Sequence, residues 1–247
     1  MATTSFGFRT VSAEEKDVLV RRVFSSVARR YDLMNDLMSG GLHRLWKDAM
    51  VEWLNPVAGR DYLDLAGGTG DIAFRIAANR KAGKSGRIVV CDINVDMLRE
   101  GMRRQGQNGG EECEWICGNA CRLPFENAAF DACTIAFGIR NVSNIDLALR
   151  EIFRVLKPGG RFICLEFSRV DAPGLDAIYD AYSFSLLPRL GKHVTGDEAA
   201  YRYLAESIRR FPAQSKFAKM VAQAGFARVK VRNLSGGIAA LHAAWKL

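Results

Sequence analysis

Between residues 59 and 167 short apolar runs alternate with amphipathic stretches, and this alternation constrains the fold more than any other feature of the chain. Residues 62–65, 87–91, 114–117, 130–137 and 161–167 are short, apolar and rich in β-branched or aromatic side chains, which predicts strands. The intervening residues 72–78, 96–105 and 145–156 carry apolar side chains at helical spacing. A strand that returns through a helix pairs in parallel with its predecessor, and a parallel sheet buries both faces under helices. The expectation is an α/β fold on a mostly parallel sheet.

The flanks add helices and a closing hairpin. From Glu14, the residues Val20, Val23, Phe24, Val27, Tyr31 and Met34 recur at steps of three and four, with Ser12 and Glu15 as a capping box. A second helix after Gly40-Gly41 carries Leu45, Trp46, Ala49, Met50, Trp53 and Leu54 and stops before Pro56. Residues 1–55 therefore read as a helical extension and 56–170 as the core. The Pro- and Gly-punctuated residues 171–212 read as an insertion over one end of the sheet, with a helix at 200–210. A helix at 213–224 and alternating runs at 227–234 and 238–247 complete the chain. At 247 residues, all of this fits one domain spanning residues 1–247.

The first strand breaks into Leu63-Asp64-Leu65-Ala66-Gly67-Gly68-Thr69-Gly70-Asp71. Glycine accepts positive φ and has no Cβ, so backbone N–H groups there can approach a ligand while the next helix aims its N-terminus at the same place. Plain strand-to-helix connections use similar residues, so the turn alone leaves the function open. Read as G-x-G-x-x-A, with Gly68, Gly70 and Ala73, it suits a nicotinamide or flavin dinucleotide. Read as an S-adenosylmethionine turn, it puts Asp64 beside the cofactor's amino group and Ala66, Gly68 and Gly70 around the methionine moiety. Asp92, closing the second strand, can accept hydrogen bonds from both ribose hydroxyls in either reading. Gly118-Asn119-Ala120 then offers an amide to an adenine amino group, in space where a dinucleotide needs its second half. Leu156-Lys157-Pro158-Gly159-Gly160-Arg161 is a helix-turn-strand junction typical of adenosylmethionine-dependent methyltransferases, and together these residues favour a methyltransferase over a dehydrogenase.

Two longer stretches narrow the class. Tyr31-Asp32-Leu33-Met34-Asn35-Asp36-Leu37-Met38-Ser39-Gly40-Gly41-Leu42-His43-Arg44-Leu45-Trp46, and Arg154-Val155-Leu156-Lys157-Pro158-Gly159-Gly160 through Glu166-Phe167-Ser168, resemble the two signatures of the ubiquinone/menaquinone biosynthesis C-methyltransferases. The similarity continues in Phe137-Gly138-Ile139-Arg140-Asn141-Val142 and in residues 201–208. The resemblance implies a Rossmann-like class I S-adenosylmethionine-dependent methyltransferase: a seven-stranded, mostly parallel sheet with helices on both faces and an antiparallel closing strand. It implies S-adenosyl-L-methionine as cofactor and a prenylated quinol as substrate, either a methoxy-polyprenyl-benzoquinol or demethylmenaquinol. Cofactor contacts then fall on Thr69, Asp92, Asn119 and Ala120. A further contact, often a serine in the family, falls on Ala136, where only backbone is available.

Carbon methylation needs an activated ring. A phenol with a pKa of about 10 costs roughly 4 kcal/mol to ionise at pH 7 unless the site supplies a base or stabilises the anion. Arg140 and Asn141, just past the fourth strand at the carboxyl edge of the sheet, are the expected catalytic residues: an always-charged guanidinium can hold a quinolate oxygen or order a water. The bland alternative is that Arg140 pairs with a nearby carboxylate. His43 is a second candidate base, ranked lower because it sits beside Trp46 on an amphipathic helix. Tyr201 and Tyr203 are the leading candidates for substrate contact, followed by Tyr31 and Asn35, with Met34, Trp46, Tyr182 and Phe184 as further pocket candidates.

Charge and cysteine content bound the partners. With 35 Lys and Arg against 27 Asp and Glu, the net charge of +8 is spread along the chain, a mild hint of a polyanionic surface that Lys192, His193 and Arg202 could meet. No nucleic-acid module is visible and nucleic acid is not an expected partner. An RNA or protein methyltransferase and a non-catalytic quinone-biosynthesis subunit are the rival readings. The six cysteines form no C-x-x-C pair and no zinc spacing, so reduced thiols and no metal are expected. No secretory or membrane-spanning run is present, so the expected location is cytoplasmic with peripheral contact at the inner face of the membrane, as a homodimer or within a quinone-biosynthesis assembly.

Overall fold

The computed structural model describes residues 3–28, 31–80, 85–108, 113–170 and 198–247, side chains 27, 31–34 and 198 excepted. The chain enters as a hairpin, β1 (Thr3–Phe6) and β2 (Arg9–Ser12), followed by α1 (Ala13–Val27), α2 (Tyr31–Ser39) and α3 (His43–Leu54). Strand and helix then alternate: β3 (Tyr62–Leu65), α4 (Asp71–Asn79), β4 (Ile88–Asp92), α5 (Val95–Asn108), β5 (Glu114–Cys117), β6 (Phe130–Ala136), α6 (Ile145–Val155) and β7 (Leu156–Phe167). Helices α7 (Glu198–Arg210) and α8 (Gln214–Gln223) lead into β8 (Ala227–Leu234) and β9 (Ala239–Trp245).

Seven strands form one sheet in the order β5-β4-β3-β6-β7-β9-β8. The pairings from β5 through β7 are parallel, with Leu63 opposite Val89 on one side and Cys133 on the other; β9 runs antiparallel to both β7 and β8. Strands β3 and β4 are buried along their whole length, as a sheet covered on both faces requires. One apolar layer joins the sheet to α3 and α7 through Trp46, Met50, Phe137, Phe167 and Leu204. The other joins it to α6 and α8 through Leu149, Ile152, Phe162, Phe217 and Val221. Strand order reverses between β3 and β6, and ligands of open α/β sheets bind outside the carboxyl ends at such a switch point.

Three expectations need correcting. The first quarter is not wholly helical, because β1 and β2 make a separate two-stranded sheet. Its turn packs Gly7 (φ 56°) against α7, where a Cβ would collide with the Glu206 carboxylate, and Glu206 also accepts from the Phe8 N–H at 3.1 Å. The apolar stripe from Val20 to Met34 belongs to two helices rather than one, α1 and α2. Strand β7 begins at Leu156 rather than after the Lys157-Pro158-Gly159-Gly160 turn, because Leu156 already pairs with Phe130 and Gly159 and Gly160 exchange backbone hydrogen bonds with Lys246 at 2.6 and 2.9 Å. Ser12 caps α1 as expected, accepting from the Glu15 N–H at 3.1 Å. Tyr182, Phe184, Lys192 and His193, with most of the expected insertion, lie outside the described residues.

Candidate functional site

The glycine turn does what its composition suggests. Gly68 and Gly70 take φ of 56° and 80°, and Gly70 directly precedes α4. The Gly68 N–H donates to Asp92 Oδ2 at 2.9 Å, while the Asn94 N–H donates to Asp92 Oδ1 at 2.8 Å. One carboxylate at the end of β4 thus pins the neighbouring turn, and burial pushes it up to about 6. A Cβ on Gly70 would lie 2.6 Å from Trp115 Cη2. Gly70→Ala should therefore cost about 1–3 kcal/mol in urea unfolding, from positive φ and the displaced indole together.

The turn opens on a cleft lined by Leu65, Ala66, Gly68, Asp92, Asn94, Asn119, Ala120, Phe137, Gly138 and Asn141 from the carboxyl edge of the sheet. Its outer wall is α1, which contributes Asp17, Val20, Arg21 and Phe24. Helix α1 is tied down at several points. Asn119 Nδ2 donates to Asp17 Oδ2 at 3.1 Å, Asn94 Nδ2 to the Arg21 carbonyl at 3.0 Å, and Lys16 Nζ to the Val142 carbonyl at 2.9 Å. Lys16 is buried, and desolvation lowers it to about 8.

Of the expected cofactor residues, Gly68, Asp92, Asn119 and Ala120 line this cleft. Asp64, Thr69, Gly70 and Ala136 are not in its wall. Asp64 lies inside β3, accepts from Thr134 Oγ1 at 3.0 Å, and is pushed by burial up to about 7. Its Oδ2 has no hydrogen-bond partner among the described residues. Thr69 is 1% exposed, with Arg104 Nη1 3.5 Å from its hydroxyl. Ala136 ends β6, and the next two residues, Phe137 and Gly138, reach the cleft instead. An adenosine-bearing cofactor fits these groups: an ionisable carboxylate at the end of β4, an Asn119 amide, a glycine turn without Cβ atoms, and a buried acceptor at Asp64 close under the turn, 2.7 Å from where a Cβ on Gly67 would stand.

The expected catalytic pair divides. Asn141 lines the cleft, but the Arg140 side chain is 3% exposed and turned into the protein. Its Nη1 donates to Glu166 Oε1 at 2.7 Å and to the Phe137 carbonyl at 2.5 Å, and its Nε to Ser207 Oγ at 3.3 Å. The carboxylate alternative weighed for Arg140 is thus the observed geometry. Phe137 holds φ of 57°, costly for a bulky residue, and Arg140 fastens its carbonyl. Glu166 is itself fully buried, and burial raises its pKa against the opposing pull of Arg140.

Tyr203 is buried and stacked on Phe6 with ring centroids 4.1 Å apart, and its hydroxyl donates to Asn141 Oδ1 at 2.9 Å. It reaches the cleft through Asn141. Tyr201 is buried in the core with Phe137 and Phe167, and Asn35 is buried on α2. Tyr31 opens α2, and its side chain lies outside the described set. His43 is buried with Nε2 2.9 Å from Asp36 Oδ1, and desolvation together with the Lys47 charge lowers its pKa. Sequence reasoning missed Asp17, Asn94 and Glu166. Asp17 stands three residues before Val20 and seven before Phe24 on a buried stripe, which was the available signal; Glu166 lies within a resembling stretch but offers none for its partner.

Sheet order, glycine turn and cleft together define the class I methyltransferase fold. A SAM-dependent methyltransferase from Aquifex aeolicus superposes with a TM-score of 0.64 at 16% identity, covering 90% of this chain and 98% of that one. Phosphoethanolamine N-methyltransferase 2 of Haemonchus contortus, solved with S-adenosyl-L-methionine, gives 0.59 at 15% identity over 81% of this chain and 52% of that one. The chain belongs to the ubiE/COQ5 methyltransferase family, whose model matches residues 9–246. It is 58% identical to the ubiquinone/menaquinone biosynthesis C-methyltransferase of a Bradyrhizobium species and 59% identical to that of Nitrobacter hamburgensis, each over 99% of this chain and 98% of the relative. The Brucella suis enzyme of the same name is 57% identical over 98% of this chain and 91% of its own length. S-adenosylmethionine is accordingly the cofactor, and among the described residues no side-chain cluster could hold a metal ion.

Proposed function

We propose that the protein methylates a ring carbon of a prenylated quinol in ubiquinone and menaquinone biosynthesis. The observation that carries this reading is the family match over residues 9–246, with relatives of that activity 57–59% identical along nearly the whole chain. When bound, the cofactor supplies an electrophilic methyl on sulfonium. Asp92 accepts from the ribose hydroxyls, Asn119 and the Ala120 backbone contact the adenine, and the glycine turn takes the methionine end, with Thr69, Gly70 and Asp64 supporting that turn from behind.

Asn141 is the residue that meets the quinol. Its Oδ1 is held by Tyr203 and one Nδ2–H reaches toward the Phe137 carbonyl at 3.4 Å, leaving a second N–H for an oxygen in the cleft. A fixed donor aimed at a developing quinolate stabilises the anion that makes the ring carbon nucleophilic. Arg140 and Glu166 position the loop rather than exchange protons. Tyr201, Tyr31 and Asn35 belong to the substrate side of the site in this reading.

Labelled S-adenosylmethionine offered with reduced demethylmenaquinone, a reduced methoxy-polyprenyl-benzoquinone and bulk RNA should mark the quinols. Label in RNA alone contradicts the proposal. The polyprenyl tail of the acceptor makes peripheral membrane contact part of the same reading, supported by the net charge of +8; no helix among the described residues is long and apolar enough to cross a membrane. Cosedimentation with anionic vesicles should be strong at low salt and fall as salt rises. A homodimer or a quinone-biosynthesis assembly is the expected protein partner, which light-scattering mass tests directly.

A further inference from the structure

Asn119 is the obvious reader of the adenine amino group, but its hydrogen bonds are already committed. Its Oδ1 accepts from the Cys121 N–H at 2.8 Å, closing the turn after β5, and its Nδ2 donates to Asp17 Oδ2 at 3.1 Å. The exocyclic amine of adenine is a donor and needs an acceptor. One lone pair remains on the Asn119 carbonyl. Asp17, half-buried in the same cleft wall, has an Oδ1 with no hydrogen bond among the described residues and further capacity on Oδ2. An ionised acceptor also makes hydrogen bonds roughly twice as strong as a neutral one.

The backbone carrying Asp17 is fixed as a binding wall requires. The preceding residue, Lys16, bonds the carbonyls of Arg140 and Val142 at 3.4 and 2.9 Å; one turn later the Arg21 carbonyl accepts from Asn94, and Ser25 Oγ donates to Asp96 Oδ2 at 2.7 Å. Val20 and Phe24 line the cleft on the same face of α1. We propose that Asp17, brought by the N-terminal helix from outside the sheet, is the residue that accepts from the exocyclic amine of the cofactor's adenine, while Asn119 contacts the ring and orients that carboxylate. The adenosine site is then incomplete without α1. The same helix, through Lys16, links cofactor recognition to the loop that presents Asn141.

The proposal rests on S-adenosylmethionine as the cofactor, and binding affinities test it without turnover. S-adenosyl-L-homocysteine and its 6-deamino analogue, with hydrogen in place of the amine, are titrated calorimetrically into wild type, Asp17→Ala and Asp17→Asn. Wild type should prefer the amine-bearing ligand by roughly 10- to 100-fold, the worth of a hydrogen bond to a charged group. Asp17→Ala should compress that ratio to about threefold or less, with Asp17→Asn between, since an amide oxygen still accepts. A loosened α1 would weaken both ligands equally and keep the ratio, and that result overturns the proposal, as does an unchanged affinity for both. If wild type binds neither ligand, the cofactor reading fails and the proposal with it; if it binds both equally, the proposal alone fails.

Discussion

Replacing Glu166 with alanine should destabilise the protein by roughly 3–5 kcal/mol, because it strands a guanidinium in the interior without its counter-charge. Arg140 and Glu166 are 3% and 1% exposed, so water cannot take over from the lost partner. The loss is structural first and functional second. Glu166 also accepts from the backbone N–H groups of Arg140 and Phe167 at 3.4 and 2.9 Å, so its removal loosens the turn between Phe137 and Asn141 at Arg140. Methyl transfer should fall at saturating cofactor because Asn141 loses its fixed orientation. Glu166→Gln, which retains an acceptor of the same shape, should lose less of both. Arg140→Lys should behave nearly as badly as alanine, since one ammonium cannot replace donors that serve Glu166, Phe137 and Ser207 in three directions. Urea unfolding with the slope checked against wild type gives the stability change, and a loss under about 1 kcal/mol for Glu166→Ala would contradict the assignment.

Asp92→Ala should weaken S-adenosylmethionine binding by about 100-fold or more, the joint effect of losing a charged ribose acceptor and the bond that pins Gly68. A pH dependence accompanies it. Burial raises Asp92 from the usual 3.8 to about 6, so the folded protein without cofactor binds this proton more tightly than the unfolded chain. Stability owed to this group is therefore present below the unfolded value and is lost as pH rises through the interval from 3.8 to about 6. Cofactor binding should have the opposite sign, because in the proposed role of Asp92 the ribose hydroxyls bond the ionised form. Affinity should be flat above pH 7 and fall by about tenfold per unit below pH 6. Asp92→Asn should bind weakly and remove that slope, and calorimetric titration across pH reads both effects.

The parts of the fold readable from sequence are those that local pattern dictates. The strands and helices between Tyr62 and Phe167 follow from alternating periods, and the cap at Ser12 from side-chain chemistry. What escaped depends on distant partners. Thr3 to Ser12 carries little hydrophobic alternation, and its hairpin is anchored by Glu206, far along the chain. The stripe from Val20 to Met34 keeps its spacing although it is shared between α1 and α2. Strand β7 gains its first residues by pairing Leu156 with Phe130 and by the bonds of Gly159 and Gly160 to Lys246, far along the chain.

The candidate site divides in the same way. Asp92, which ends β4, and Asn119, two residues past β5, were placed beside the cleft by their position at the carboxyl edge, where ligands of such sheets bind. Arg140 was legible as an unusual residue at that edge, but its burial was not, since Glu166 lies 26 residues away on the adjacent strand. Asp17 sits on an element outside the sheet, and an apolar stripe does not announce which surface it will cover. Tyr203 was expected at the substrate, and the geometry gives it a supporting place behind Asn141.

The proposed reaction moves a methyl group from sulfonium to a ring carbon of a quinol held beside Asn141. Incubating the protein with S-adenosylmethionine deuterated in the methyl group and reduced demethylmenaquinone, reoxidising the product and recording its mass and proton spectrum tests this most directly. Carbon methylation predicts a product that reoxidises to the quinone with the deuterated methyl retained on the ring and one ring proton lost. A product that carries the label as an ether and resists reoxidation, or a quinone without label, would contradict it.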